Sequence, residues 1–142
     1  MDKAERIEFV ISEFRKADIS INENQADKFV RLCDFMVEYN ENVNLTSITE
    51  FSEVVVKHFV DSVLPFTMVD IPQESCFIDV GTGAGFPAIP LLIYRPDLKG
   101  TLCDSLNKRC VYLEKACELI GVKSEIIHER SEELGRKKRE CF

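Results

Sequence analysis

An aspartate followed by three alternating glycines is the stretch of this sequence best suited to holding a ligand. Asp79 stands near the end of a short apolar run, and Gly81, Gly83 and Gly85 follow it. Glycine adopts positive φ angles at little cost and has no Cβ atom to block a ligand. A helix that begins behind the turn offers free backbone N–H groups to a carboxylate. We therefore expect a ligand to lie against this turn.

A second acid indicates that the ligand contains a ribose. Asp104 ends the next apolar run, 25 positions after Asp79, where a carboxylate can accept hydrogen bonds from both ribose hydroxyls. A dinucleotide motif requires a third small residue at position 86, and Phe86 stands there. The spacing GxGxG after an acid instead resembles the motif of class I S-adenosylmethionine-dependent methyltransferases. In that class the acid faces the amino acid end of the cofactor.

Two patterns of apolar residues divide the chain. Residues 1–72 show helical periodicity without strands and are interpreted as a helical N-terminal region. From residue 73 onward, short apolar runs alternate with helical patterns. Strands are predicted at 76–80, 101–104 and 124–128, with helices at 84–94 and 107–120. This βαβαβ order predicts an open, parallel, right-handed α/β sheet over residues 73–142.

Several local features of these elements are also predicted. Asn22 and Gln25 have the spacing of a capping box for the second helix. A third helix begins near Thr49, and Pro65 and Pro72 bracket a connector into the first strand. The first strand is expected to be buried on both faces. The inward side of the last helix is assigned to Val111, Leu113, Ala116, Cys117 and Ile120.

Composition narrows the class of protein. The 142 residues are 45% hydrophobic and 30% charged, as in a single globular domain. The net charge of −7 argues against non-specific coating of nucleic acid, although residues 136–139 form a local basic run. Six cysteines and two histidines show no zinc spacing, so no metal site is expected. The sequence shows neither a signal peptide nor a membrane span, and a cytoplasmic location is expected.

Four stretches resemble one particular family, the small-subunit (16S) ribosomal RNA guanine-N(7)-methyltransferase G family, also called glucose-inhibited division protein B. The longest is the glycine turn with the helix after it, residues 79–91. Ala88 departs from the pattern there, because the family usually has glycine at that position. The other three stretches are Asn44-Leu45-Thr46, His58-Phe59-Val60-Asp61-Ser62 and Asp104-Ser105-Leu106-Asn107-Lys108-Arg109.

The resemblance implies an activity and a set of site residues. The activity is transfer of a methyl group from S-adenosylmethionine to ring nitrogen 7 of a guanosine in the 530 loop of 16S rRNA, within the small ribosomal subunit. No catalytic side chain is assigned, because this nitrogen carries a free lone pair; His58 is interpreted as a hydrogen-bonded packing residue. The cofactor-binding residues implied by position are Asp79, Gly81, Gly83, Phe86, Asp104, Ser131 and Glu132.

The same resemblance implies that the chain is truncated at its C-terminus. The fold expected is a helical N-terminal region followed by the first βαβαβ half of a Rossmann-like class I methyltransferase domain. The missing part would cover one side of the cofactor site, so weak or absent activity is expected of the fragment. The unpaired edge of its first strand predicts poor solubility or self-association. Two alternatives stay open: a methyltransferase acting on a small molecule or protein, and a non-catalytic remnant that binds RNA or a partner.

Overall fold

Three parallel strands form the sheet. The computed structural model describes residues 1–129, in which β1 (Cys76–Val80), β2 (Lys99–Asp104) and β3 (Ser124–His128) lie in the order β1-β2-β3. Residue Ile78 of β1 pairs with Thr101 of β2, and Leu102 of β2 with Ile126 of β3. Helices α5 (Ala88–Tyr94) and α6 (Asn107–Ile120) connect the strands. The predicted α/β class and βαβαβ order are confirmed, and the arrangement is Rossmann-like.

Helices occupy the chain before the sheet, as predicted. Their bounds are α1 Lys3–Lys16, α2 Glu23–Tyr39, α3 Phe51–Val54, a π-helical segment Val55–Val60, and α4 Asp61–Thr67. The capping box of α2 is present: Asn22 Oδ1 accepts from Gln25 N at 2.8 Å, and Gln25 Oε1 accepts from Asn22 N at 2.9 Å. These paired bonds satisfy two N–H groups that the helix leaves open.

The prediction that Pro65 begins the connector was wrong. Pro65 lies inside α4, which continues the π-helical segment without a break and ends at Thr67. The fixed φ angle of proline suits a helix, and the helix ends within two residues of Pro65. The connector to β1 is therefore shorter than the two prolines indicated.

A line of aromatic rings joins the helices to the start of α5. The ring centroids of Phe14 and Phe29 lie 5.0 Å apart, and those of Phe29 and Phe59 lie 4.9 Å apart. Phe59 in turn contacts the ring of Phe86, edge to face, at 6.1 Å. The helical region and the glycine turn therefore share one core. Aromatic pairs at these distances add to the stability that burial provides.

Two predictions about burial were wrong. β1 is only half-buried along its middle and exposed at Cys76 and Val80, because it is the edge strand of the sheet formed by residues 1–129. On α6, Val111 is exposed while its neighbour Tyr112 is fully buried. Tyr112 is drawn inward by stacking on Phe35 of α2 at 5.7 Å, a tertiary contact that helical periodicity does not encode.

Candidate functional site

The turn between β1 and α5 crosses the carboxyl end of β2. The backbone N–H groups of Gly81 and Thr82 both donate to the carbonyl oxygen of Cys103, at 2.8 and 3.1 Å. Helix α5 begins later than predicted, at Ala88, because residues 84–87 still belong to the turn. The crossing places the ends of β1 and β2 side by side, so the two acids predicted from the sequence face one site.

Asp104 is built into this turn. The residue is only 3% exposed, and its Oδ2 accepts a 2.9 Å hydrogen bond from Gly83 N. Its Oδ1 accepts from Leu106 N at 2.9 Å and lies 3.6 Å from Arg109 Nη1. A carboxylate has about four lone-pair positions, so the two N–H donors leave room for further hydrogen bonds.

Asp79 is the more open of the two acids. Its Oδ2 accepts from Thr82 Oγ1 at 2.8 Å and from Ala88 N at 3.3 Å. Burial raises the pKa of this carboxyl, and the nearby charge of Asp104 raises it further. Among residues 1–129 no hydrogen-bond donor reaches Oδ1 of Asp79. A cationic group placed there would relieve the repulsion between the two carboxylates.

The three glycines serve two different purposes. Gly81 and Gly83 have φ angles of +67° and +60°, and a Cβ atom added to either would meet nothing within 4 Å. At Gly85 a Cβ atom would lie 2.5 Å from Ile89 Cδ1 and 3.0 Å from Leu113 Cδ2. Gly81 and Gly83 therefore border open space in which a ligand can approach the backbone, whereas Gly85 lets the turn pack against the core.

Phe86 is held from the helical region. The ring of His58 stacks on it with centroids 4.6 Å apart and planes 16° apart. Nε2 of His58 lies 2.8 Å from Thr46 Oγ1, so His58 is a hydrogen-bonded packing residue, as predicted. The sequence did not predict that the ring partner of His58 would be Phe86; the signal for it was that both residues lie in stretches that resemble one family.

Two further polar residues lie near the carboxyl ends of the strands. His128 is the last residue of β3, and its Nε2 lies 2.9 Å from the carbonyl oxygen of Ser105. Lys108 is exposed at the start of α6. Ser131, Glu132 and the basic run at 136–139 lie outside the described residues.

The described part of the chain offers neither a metal-binding cluster nor a membrane-spanning helix. Residues 1–129 contain no group of three His, Cys, Asp or Glu side chains placed to hold a metal ion. None of the helices they form is long and apolar enough to cross a membrane. Two carboxylates beside an open backbone turn suit a ligand that carries hydroxyl groups and a positive charge.

Comparison with known proteins identifies the family. The profile of the family described as rRNA small subunit methyltransferase G matches residues 25–141. Ribosomal RNA small subunit methyltransferase G of Alkaliphilus metalliredigens is 46% identical over 117 residues, covering 82% of this chain and 49% of that protein. The proteins of the same name from Bacillus subtilis and Desulforamulus reducens are 43% and 42% identical, covering 93% and 87% of this chain and 56% and 52% of their own lengths.

The match covers most of this chain but only part of each relative. The chain spans about half the length of these curated relatives. Its sheet of three parallel strands corresponds to part of a class I methyltransferase fold, with the two acids and the glycine turn at the carboxyl edge. The chain belongs to the rRNA small subunit methyltransferase G family.

Proposed function

We propose that this chain forms the donor-binding part of an enzyme that methylates ring nitrogen 7 of a guanosine in the 530 loop of 16S rRNA, in the cytoplasm, with S-adenosylmethionine as methyl donor. One observation carries the proposal. Asp79 and Asp104 flank an open glycine turn at the carboxyl ends of neighbouring strands, in a chain of a methyltransferase family.

The two acids and the glycine turn suit different parts of the donor. The free oxygen of Asp79 suits the ammonium of the amino acid end. Burial and the charge of Asp104 raise the pKa of this carboxyl, and an adjacent cation would favour its charged form. Asp104 suits the ribose hydroxyls, since it keeps unused lone pairs. Gly81 and Gly83 let the backbone approach the donor, and Phe86 offers an aromatic surface beside the turn.

The adenine end is assigned to two further residues. The family resemblance points to Ser131 and Glu132, which follow β3 in the chain. Both lie outside the described residues, so this part of the proposal depends on sequence position alone.

The chemistry requires placement more than proton transfer. S-adenosylmethionine supplies a methyl group already activated on a sulfonium. Ring nitrogen 7 of neutral guanine carries a lone pair, so the chain has no proton to remove there. The residues of the chain bind the donor, align the reacting atoms and exclude water. We therefore assign no catalytic role to His58, which is engaged by Thr46 and Phe86, or to His128, which is engaged by Ser105.

The RNA acceptor is proposed from family membership. The relatives named above are ribosomal RNA methyltransferases by name. A chain with a net charge of −7 needs a local basic surface to approach phosphates. Lys108 and Arg109 follow Asp104 at the carboxyl edge of the sheet, and Arg109 Nη1 lies 3.6 Å from Asp104 Oδ1.

Titration calorimetry with S-adenosylmethionine tests the donor site. We expect saturable binding to the 142-residue chain. Asp79→Asn should weaken this binding by about tenfold or more, because it removes a charge-assisted hydrogen bond. The same variant should unfold at a similar denaturant concentration, since an amide oxygen can still accept from Thr82 and Ala88. Absence of both heat and thermal shift with the unmodified chain would contradict a donor site and favour a non-catalytic remnant.

A transfer assay tests the acceptor. Labelled S-adenosylmethionine is incubated with the chain and small ribosomal subunits that lack the modification. We expect slow transfer, confined to nitrogen 7 of a guanosine in the 530 loop. Label found only on a protein or small molecule would replace the RNA assignment with the alternative methyltransferase activity.

A further inference from the structure

Two stretches that the donor site does not use directly meet beside it. One contains Thr46 and the other His58, and a 2.8 Å hydrogen bond joins Thr46 Oγ1 to His58 Nε2. His58 stacks almost parallel on Phe86, which belongs to the glycine turn. One hydrogen bond and one ring stack therefore connect the loop after α2 to the proposed donor site.

The position of Thr46 is itself fixed by neighbouring groups. Asn40 Oδ1, at the end of α2, accepts from Leu45 N at 2.8 Å and from Thr46 N at 3.0 Å. Thr46 Oγ1 also accepts from Ile48 N at 3.0 Å. These bonds hold the backbone and side chain of Thr46 together, so the hydroxyl that meets His58 has a defined location.

His58 lies on a distorted stretch of helix. It belongs to the π-helical segment Val55–Val60. Such π turns are rare in proteins overall, but those that occur are often at functional sites. Its neighbour Phe59 is fully buried and packs edge to face with Phe86 at 6.1 Å. Two successive side chains of this segment therefore contact one ring of the glycine turn.

Phe86 is well placed to transmit this contact. Gly83, three residues before it, donates to Asp104. Ala88, two residues after it, donates to Asp79. A displacement of Phe86 would disturb these two hydrogen bonds, which help to orient the acids of the site.

We propose that His58 is a positioning residue: anchored by Thr46, it holds Phe86 and with it the glycine turn in the conformation that binds the methyl donor. The link to the donor rests on the proposed function, whereas the link between His58 and the turn does not. Burial lowers the pKa of His58, which keeps the ring neutral at neutral pH and suited to stacking on Phe86.

Four variants of the full chain separate the two contacts. His58→Phe keeps a ring on Phe86 but loses the hydrogen bond to Thr46. His58→Gln keeps a hydrogen-bonding group but loses the ring, and His58→Ala loses both. Val56→Ala is the matched control, because Val56 lies on the same π-helical segment and is exposed. Two conservative variants also keep the test usable if His58→Ala fails to fold.

Hydrogen exchange of the ligand-free chain tests the link to the turn. In His58→Ala, the amides of residues 81–86 and 88 should exchange faster by about two- to tenfold, the range expected for loss of an aromatic pair. His58→Phe should lie closer to the unmodified chain, and Val56→Ala should match it. Unchanged exchange in the turn of His58→Ala would overturn the proposal. An equal rise in α1 and in the turn would also overturn it, since the role would then be general stability.

Calorimetry with S-adenosylmethionine tests the link to the donor. His58→Ala should bind about two- to tenfold more weakly, and His58→Phe should recover part of that loss. Faster exchange in the turn with unchanged affinity would overturn the proposal. If the unmodified chain binds no S-adenosylmethionine, the proposed function fails, while the exchange result still decides whether His58 holds the turn.

Discussion

The two ends of the three-stranded sheet differ in what they offer a ligand. At the amino ends lies a cavity of about 540 Å³, lined by residues that include Cys76, Lys99 and Lys123. At the carboxyl ends the described residues form an open turn flanked by two carboxylates. If cavity size alone located binding sites, the amino end would be chosen.

The two aspartates that flank β2 show why the carboxyl end is preferred. Asp97, before the strand, accepts from Arg95 at 2.8 and 2.9 Å and from Glu74 N at 2.9 Å. These partners fasten neighbouring surface loops. Asp104, at the other end, holds the turn that borders open space. The convergence of Asp79 and Asp104 on open backbone is the reason to propose the donor site at the carboxyl end rather than in the cavity.

Replacement of these two aspartates should give the largest contrast. Asp104→Ala leaves the N–H groups of Gly83 and Leu106 without their acceptor, so the free energy of unfolding should fall by about 1–3 kcal/mol. Binding of S-adenosylmethionine should be lost. Asp97→Ala breaks an ion pair at the surface, and its affinity for the donor should equal that of the unmodified chain. Chemical denaturation and calorimetry on both variants measure these outcomes; weaker donor binding in Asp97→Ala would break the contrast.

Two glycines allow a crossed test of the same contrast. At Gly100, near the amino end of β2, a Cβ atom would lie 2.7 Å from Phe77 Cζ. Gly100→Ala should therefore lower the free energy of unfolding by about 1–3 kcal/mol and leave donor affinity unchanged. Gly81→Ala meets no neighbouring atom, and its positive φ should cost only about 1 kcal/mol.

The two glycine variants should rank in the opposite order for donor affinity. A methyl group at Gly81 projects into the open space where the backbone is expected to pass the donor, so Gly81→Ala should bind S-adenosylmethionine more weakly than Gly100→Ala. The same denaturation and calorimetry experiments serve both variants. Equal affinities would mean that the space beside Gly81 is not the donor site.

The features that the sequence predicted correctly are local. Asp79, the glycine spacing and Asp104 each end or follow an apolar run, so the βαβαβ order places them together at one edge. The capping box at Asn22 is likewise set by residues three positions apart. Such patterns depend on backbone geometry that neighbouring residues determine among themselves.

The features that the sequence did not predict depend on distant packing. The stack of His58 on Phe86 joins residues 28 positions apart, and no periodicity indicates it. Gly85 looks like its two neighbours in sequence, yet only the fold shows that Ile89 and Leu113 leave no room for a side chain. Within residues 1–129 β1 is the edge strand of the sheet; the family resemblance implied this edge, but the apolar run of β1 does not reveal the exposure that follows from it.

The smallest predicted effect is a difference in pH dependence of stability between His58, which contacts the turn at the carboxyl ends of the strands, and Asp97, which lies at their amino ends. Burial lowers the pKa of His58 below its ordinary value of 6.5, with the charge of Asp61 opposing this change. The unfolded chain then binds this proton more readily, so the contribution of His58 is complete above pH 6.5 and is lost as pH falls through the folded pKa. Hydrogen bonds from Arg95 hold the pKa of Asp97 well below 3.8. The contribution of Asp97 is therefore complete above pH 3.8 and is lost only in stronger acid.

Denaturation curves at a series of pH values separate these two windows. Between about pH 7.5 and pH 5, His58→Gln should lose less stability than the unmodified chain, because glutamine does not titrate. Asp97→Asn should follow the unmodified chain in that range and diverge only below about pH 4. Asp79 acts with the opposite sign, since its raised pKa favours the folded state on acidification, but it is common to all three proteins. Parallel curves for His58→Gln and the unmodified chain would show that protonation of His58 does not weaken the carboxyl end of the sheet.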